Sequence, residues 1–442
     1  MKTPIADLLR RYEEEGFARF HMPGHKGRAI LGCEHWDITE IAGADSLYEA
    51  DGIIAESEGN AAALFGTRRS CFSTEGSSQC LKAMLYLALQ SRSAGTPPVI
   101  VAARNVHRAF LHAAALLDFE VVWLFPAESR SLCSCPISAE MLGRTLASLD
   151  APPAAVYLTS PDYLGGMADI AALAAVAHRH GTLLAVDNAH GAYLRFLTPS
   201  QHPMDLGTDL CCDSAHKTLP VLTGGAYLHI SRRLGEETAA QAKHALALFG
   251  STSPSYLTLA SLDLCNAALA GELPARMHRM AQRLAEIREI LRGRGWTVLE
   301  SDPLRLTIHA PQRAHALAQK LRSGKMECEY ADGDFLVLML TAENREEELQ
   351  RLLSVLGTND APAAEAEALP LAKGERALSI REAFFRPHET IPAAESLGRI
   401  CAAPTVSCPP AIPIVVSGEV IGAEAVKLFH RYGVETVEVV SL

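Results

Sequence analysis

The chain contains no apolar run near the roughly 18–20 residues that cross a bilayer, which argues against a membrane-spanning helix. It also lacks the apolar core and small-residue cleavage site of a secretory signal. Instead, Met1 to Gly16 reads as a charged amphipathic helix, with Leu8, Leu9 and Tyr12 set against Arg10, Glu13 and Glu14. The expectation is a cytoplasmic protein. Paired metal-ligand cysteines are missing as well. The 11 cysteines are scattered, and the tight pairs Cys133-Ser-Cys135 and Cys211-Cys212 have no matching second pair at zinc spacing. Buried, reduced thiols and no metal are expected. Positive charge is in deficit: 40 Lys and Arg against 51 Asp and Glu leave a net charge of −11. That balance disfavours nucleic acid and anionic membranes as partners and is compatible with a small cationic substrate. No internal repeat is visible.

What is present is length enough for roughly three domains and an alternation of short β-branched runs with helical patterns from about Thr67 to Ile230. Val99–Ala103, Val121–Phe125, Ala154–Thr159, Leu183–Asp187 and Leu210–Ser214 read as buried strands. Asp169–His180 reads as a helix, because Ile170, Leu173, Ala174 and Ala177 recur at helical spacing between an N-cap aspartate and Gly181. Such βαβ alternation predicts an α/β fold with a mostly parallel sheet covered on both faces. A long helix at about Leu273–Arg292 leads to a smaller α+β domain, with strands at Trp296–Val298, Leu304–His309 and Phe335–Leu340 and a helix at Arg345–Leu356. Gly357–Gly374, rich in Ala, Glu and Pro, reads as a linker. The expected division is an N-terminal segment (1–60), a large domain (61–265), a small domain (266–356) and a C-terminal domain (375–442).

Ligands in parallel sheets sit beyond the C-terminal strand ends, and chemically capable residues cluster there in the sequence. Ser214-Ala-His-Lys217 follows the strand at Leu210 and precedes Gly224-Gly225. A lysine among apolar neighbours has its ammonium desolvated, which makes the amine nucleophilic; an ordinary surface lysine is the alternative. Asp187-Asn-Ala-His190 ends another strand. A buried carboxylate needs a positive partner, such as a pyridinium nitrogen, unless it merely caps the next helix. Thr74-Glu-Gly-Ser-Ser78 precedes a helix with Leu81, Met84, Leu85 and Ala88 on its apolar face. Gly76, Ser77 and Ser78 there suit either a phosphate or plain capping. His107 starts a further helix and would either stack on an aromatic ring or cap.

In this order the four strand ends resemble the large domain of fold-type I pyridoxal-5′-phosphate (PLP) enzymes. Phe20-His-Met-Pro-Gly-His-Lys26, Asp45-Ser-Leu-Tyr-Glu-Ala-Asp-Gly-Ile-Ile54, Ser214-Ala-His-Lys217 and Pro409-Pro-Ala-Ile-Pro413 with Gly418-Glu419 narrow the resemblance. From about Phe17 to Val420 the chain is similar to the Orn/Lys/Arg decarboxylase family, in its short bacterial form without a wing domain. The resemblance implies Lys217 as the Schiff-base lysine and Asp187 as partner of the pyridine nitrogen. It implies His107 stacked on the ring, His190 close to the ring's phenolic oxygen, and Gly76, Ser77, Ser78, Ser214 and His216 around the phosphate. The His21–Lys26 loop and Asp45 to Tyr48 would approach the site at a subunit boundary, in a homodimer or larger homo-oligomer.

The implied reaction is α-decarboxylation of arginine, lysine or ornithine to a polyamine-pathway amine. Glu75, Asp162, Glu49 and Asp51 are candidates to read the substrate's cation. Three departures stand out. Asn188 replaces a usual Glu, Glu75 replaces Asn or Gln, and Cys408 and Ala411 replace the Tyr and Gly of the C-terminal motif. Glu75 is expected to have exchanged a cofactor contact for a substrate contact. The same fold hosts aminotransferases and aldolases, and a non-catalytic cofactor-binding protein is a further alternative.

Overall fold

The computed structural model describes residues 1–92, 95–360, 369, 371–404 and 411–441. Among the described residues there are thirteen strands: β1 (Arg69–Ser73), β2 (Val99–Ala103), β3 (Glu120–Leu124), β4 (Ala155–Thr159), β5 (Leu183–Asp187), β6 (Leu210–Asp213), β7 (Ala226–Ile230), β8 (Thr297–Val298), β9 (Arg305–His309), β10 (Tyr330–Ala331), β11 (Phe335–Met339), β12 (His388–Pro392) and β13 (Thr436–Val440). The first seven form one mostly parallel α/β sheet. Among the described residues no helix is long and apolar enough to cross a membrane.

The chain packs into two compact units, Met1–Ser93 with Ile170–Met277, and Ala94–Asp169 with His278–Leu442. The first carries strands in the order β1-β7-β6-β5. Here β5 and β6 are parallel, while β7 runs antiparallel to both β6 and β1. The apolar β5 run is legible in the sequence. The other pair is not: β1 reads Arg-Ser-Cys-Phe-Ser, and β7 carries a tyrosine and a histidine, yet β7 is wholly buried. Strand β6 stops one residue before the expected Ser214, because Ser214 already opens the short helix Ala215–Thr218. Helix α1 (Pro4–Glu14) buries Ile5, Leu8 and Leu9 as its periodicity requires. Its first amides are capped from far away: Asp263 accepts from the backbone N–H groups of Ile5 and Ala6, both at 3.0 Å, and from Ser57 Oγ at 2.6 Å. Helix α2 (Ile53–Phe65) is similarly anchored by Asp45, whose Oδ2 accepts from the amides of Gly52 (2.9 Å) and Ile54 (3.0 Å).

The second unit carries β4-β2-β3, all parallel, and an antiparallel sheet in the order β10-β11-β9-β8. Asp162 sits in the turn after β4. Its Oδ1 accepts from the amides of Leu164 (2.9 Å) and Gly166 (2.8 Å), and Arg305 donates to the carbonyls of Asp162 and Tyr163. Burial raises the Asp162 carboxyl to about 6, against the lowering effect of Ser134, the Gly166 amide and Arg305. The C-terminal portion packs β12 and β13 with the helix Ala423–Arg431 around Ile421, Leu428, Phe429 and Val439. A buried ion pair joins Arg104 to Glu419 at 3.1 Å, and the amide of Arg108 donates to the carbonyl of Ala411 at 2.9 Å. Ala411 adopts φ 59°, the left-handed region that a Cβ disfavours. Cys408 to Pro410, and residues 361–368 and 370 of the expected linker, lie outside the described residues.

Two outcomes are expected. Ala411→Gly relieves the left-handed alanine, a gain of about 1 kcal/mol at most once glycine's chain entropy is counted, and calorimetry should show Tm rising by about 1 °C. Asp162 has its folded pKa above its unfolded one, so it favours the fold below pH 3.8 and loses that contribution as pH rises through about 6. The stability of Asp162→Asn relative to the parent should therefore improve between pH 4 and pH 7, by up to roughly 3 kcal/mol. A pH-independent difference in denaturant midpoints would contradict this.

Candidate active site

The candidate site of the first unit begins with two loops held in contact by their backbones. After β1 the chain turns at Gly76, φ 75°, into helix α3 (Ser77–Gln90). The Gly76 amide donates to the Gly224 carbonyl at 2.7 Å. Gly224, at φ 96°, leaves no room for a side chain, since a Cβ would lie 2.5 Å from the Thr74 carbonyl oxygen. This approach brings the Ser214–Gly225 loop beside the start of α3. Ser214 Oγ donates to Ser77 Oγ at 2.6 Å. His216 Nδ1 lies 3.1 Å from the Gly225 carbonyl. Partial burial lowers the His216 pKa, opposed by that carbonyl and reinforced by Lys217. Helix α3 has no side-chain cap, so its first-turn amides and the Ser77 and Ser78 hydroxyls form the kind of donor set that holds a phosphate. The sequence reading of α3 is corrected in one respect: it is buried on nearly every side, Cys80, Ala83 and Leu87 included, rather than along one face.

Lys217 and His190 meet in the same unit, with Nζ 3.0 Å from Nε2. His190 belongs to the turn after β5, whose last residue, Asp187, is buried. Asp187 pairs in register with Cys212, and its Oδ1 accepts from the Ala189 amide at 3.1 Å and from Cys212 Sγ at 3.6 Å. The donor set therefore suits an aldehyde cofactor bearing a phosphate and a basic ring nitrogen: an amine, a buried carboxylate and an uncapped helix start.

His107 belongs to the second unit. It is the N-cap of helix α4 (Arg108–Leu117), its Nδ1 accepting from the Ala109 amide at 3.1 Å. Glu75 accepts from the Ser251 amide at 2.8 Å. Of the other proposed readers of a cation, Glu49 and Asp51 are exposed in the first unit, and Asp162 belongs to the buried turn of the second. Of the Asp45–Tyr48 run, Asp45 is spent on α2, whereas Tyr48 reaches the cradle: its hydroxyl accepts from Gln79 Nε2 at 2.8 Å. Gln79 also binds Ser73 Oγ (2.5 Å) and the Leu246 carbonyl (2.8 Å). A Cβ at Gly250 would fall 1.9 Å from the Tyr48 hydroxyl. Gln79 and Gly250 escape a sequence reading, because their partners lie far away in the chain.

The chain is similar to known proteins along most of its length. The family described as "Orn/Lys/Arg decarboxylase, major domain" matches residues 3–315. An uncharacterized protein of Bacillus subtilis, YaaO, is 28% identical, covering 98% of this chain and 94% of its own length. An arginine decarboxylase of the same organism is 27% identical, over 97% of this chain and 93% of its own. The structure of the E. coli constitutive lysine decarboxylase superposes with a TM-score of 0.78 at 18% identity, covering 100% of this chain and 82% of that one, and so shares the fold-type I architecture. With a family match across most of its length, this chain belongs to the Orn/Lys/Arg decarboxylase family.

Proposed function

We propose that this protein is a PLP-dependent decarboxylase of a basic amino acid, with arginine the first candidate substrate. The observation that carries the reading is the Lys217–His190 pair, 3.0 Å apart, beside an uncapped, glycine-led helix start. The arginine decarboxylase of B. subtilis, similar over 97% of the chain, points to the substrate.

In this reading the Lys217 amine would anchor the cofactor aldehyde, and the amides of Ser77 and Ser78 with the Ser214 hydroxyl and His216 would hold its phosphate. Asp187 would keep a proton on the ring nitrogen, and the family resemblance gives His107 the role of stacking on the ring. When bound, the cofactor supplies an electron sink for the pair left behind as CO₂ departs. Lys217 Nζ and His190 Nε2, 3.0 Å apart, would return a proton to the substrate's Cα. Glu75 remains our candidate for the substrate's cationic end; what supports it is its position beside Gly76 and Ser77, with its carboxylate accepting from the Ser251 amide at 2.8 Å.

A homodimer is part of the proposal. Phe20 (96% exposed), Met22 (68%), Ile30 (82%) and Leu31 (87%) crowd a 12-residue stretch with their apolar side chains uncovered. A second copy of this chain is the partner that the family resemblance implies for this segment.

Purified protein supplied with PLP and incubated with arginine, lysine or ornithine should release agmatine, cadaverine or putrescine, with agmatine dominant. Lys217→Ala should lower kcat by roughly 10³-fold or more and His190→Gln by roughly 10²-fold. Keto-acid-dependent amino transfer, or no amine from any of the three substrates, would overturn the assignment. Phe20→Ser with Leu31→Ser should shift the protein from dimer to monomer in light scattering; an unchanged mass would remove this segment from the interface.

A further inference from the structure

Behind the candidate site lies a buried polar cluster that none of the chemistry above uses. Asp213 immediately precedes Ser214 and is fully buried, as are His202, His229 and Asn188. Its Oδ2 accepts from His202 Nε2 at 3.0 Å and from His229 Nε2 at 3.1 Å, and its Oδ1 from Asn188 Nδ2 at 2.7 Å. Each histidine is oriented by a second bond. His202 Nδ1 accepts from the Met204 amide at 3.3 Å, and His229 Nδ1 lies 2.8 Å from Ser70 Oγ. Burial alone would raise the Asp213 carboxyl, but the two histidines outweigh it and hold it well below the usual range. His202, Cys211 and Asp213 also lie close enough to offer a cation three donors. The hydrogen bonds already engage the His202 and Asp213 atoms without one.

The pleat decides what this cluster touches. Asp187 and Cys212 are register partners, so they share a face of the sheet. The next residues along, Asn188 and Asp213, turn to the opposite face. The Asn188 amide also donates to the Cys212 carbonyl at 2.9 Å, so main chain and side chain both tie the end of β5 to the end of β6. One strand end presents Asp187 and the other leads into Ser214 and Lys217.

We propose that the Asn188–Asp213 pair, clamped by His202 and His229, is a positioning network that fixes Asp187 relative to the Ser214–Lys217 turn from the far face of the sheet. The inference rests on the reading of that turn as the PLP site. It also accounts for the asparagine at 188. A carboxylate there would face an already ionised, buried Asp213, and two such neighbours cannot both hold charge. Amide and carboxylate are thus a matched pair, one donating and the other accepting across the two strand ends, while the second carboxylate oxygen at 213 accepts from both histidines.

The test is an exchange of the pair, read by PLP titration of the apoprotein and by the visible absorbance of the lysine-linked cofactor. Asn188→Asp should weaken PLP binding at least tenfold and shift the absorbance maximum. Adding Asp213→Asn should restore the affinity to within about threefold of the parent, since the carboxylate introduced at position 188 can then accept from the amide introduced at position 213. Asp213→Asn alone is the fallback where Asn188→Asp does not fold, judged by circular dichroism; it should weaken PLP binding at least threefold. If the parent shows the lysine-linked band but the variants bind PLP unchanged, or the exchange rescues nothing, the network inference falls and the cofactor reading stands. If the parent shows no such band, both fall. Stoichiometric zinc in the purified protein, removed by Asp213→Asn, would replace the hydrogen-bonded network by a metal site and overturn the proposal.

Discussion

The site depends on a backbone contact. The Gly76 amide and Gly224 carbonyl meet at 2.7 Å, and a side chain at Gly224 would collide with the Thr74 carbonyl. That approach seats the lysine-bearing loop on the turn that opens α3. Without it, Ser77 and Ser214 could not share a hydrogen bond, and the helix start, which has no side-chain cap, would not have the lysine-bearing loop beside it. Glycine at 76 supplies the left-handed turn, and glycine at 224 supplies the clearance. The two act for different physical reasons on one contact.

Around that contact the first unit is braced by buried groups whose partners are distant in the chain. Lys243 binds the Leu47 carbonyl and Glu58, and Glu58 in turn accepts from the Phe72 amide, so α2, β1 and the stretch before Tyr48 are drawn together. Asp263 and Asp45 serve as remote caps for α1 and α2. Buried polar groups of this kind add little net stability when paired and cost much when orphaned. Their effect is to specify one arrangement of helices against sheet, and that arrangement carries Tyr48 to Gln79 beside the cradle.

The parts of the fold legible in the sequence are those whose signal is local. Leu183–Asp187 is a short apolar run ended by a carboxylate, and its strand matches residue for residue. The helix Ile170–Arg179 follows its 3.6-residue spacing, with Gly181 in the left-handed region just beyond it. β1 and β7 carry no such signal. Their polar and aromatic residues are buried because each strand pairs with a neighbour and packs beneath α2 and α3, a fact of assembly rather than of pattern. Tertiary context overrides strand propensity in such places.

The sequence alone determined which residue types stand at the strand ends: a lysine after β6, an aspartate and a histidine after β5, and a glycine with two serines after β1. It did so because strand ends are marked by the loss of apolar continuity, and chemically capable side chains there are read one position at a time. Only the tertiary structure decided which of them meet. Lys217 and His190 are 27 residues apart in the chain and 3.0 Å apart in space. Asp213 gathers His202, His229 and Asn188 from three separate segments. Partner choice among buried polar groups follows from sheet register and the closeness of backbones, and neither is written in any short window of sequence.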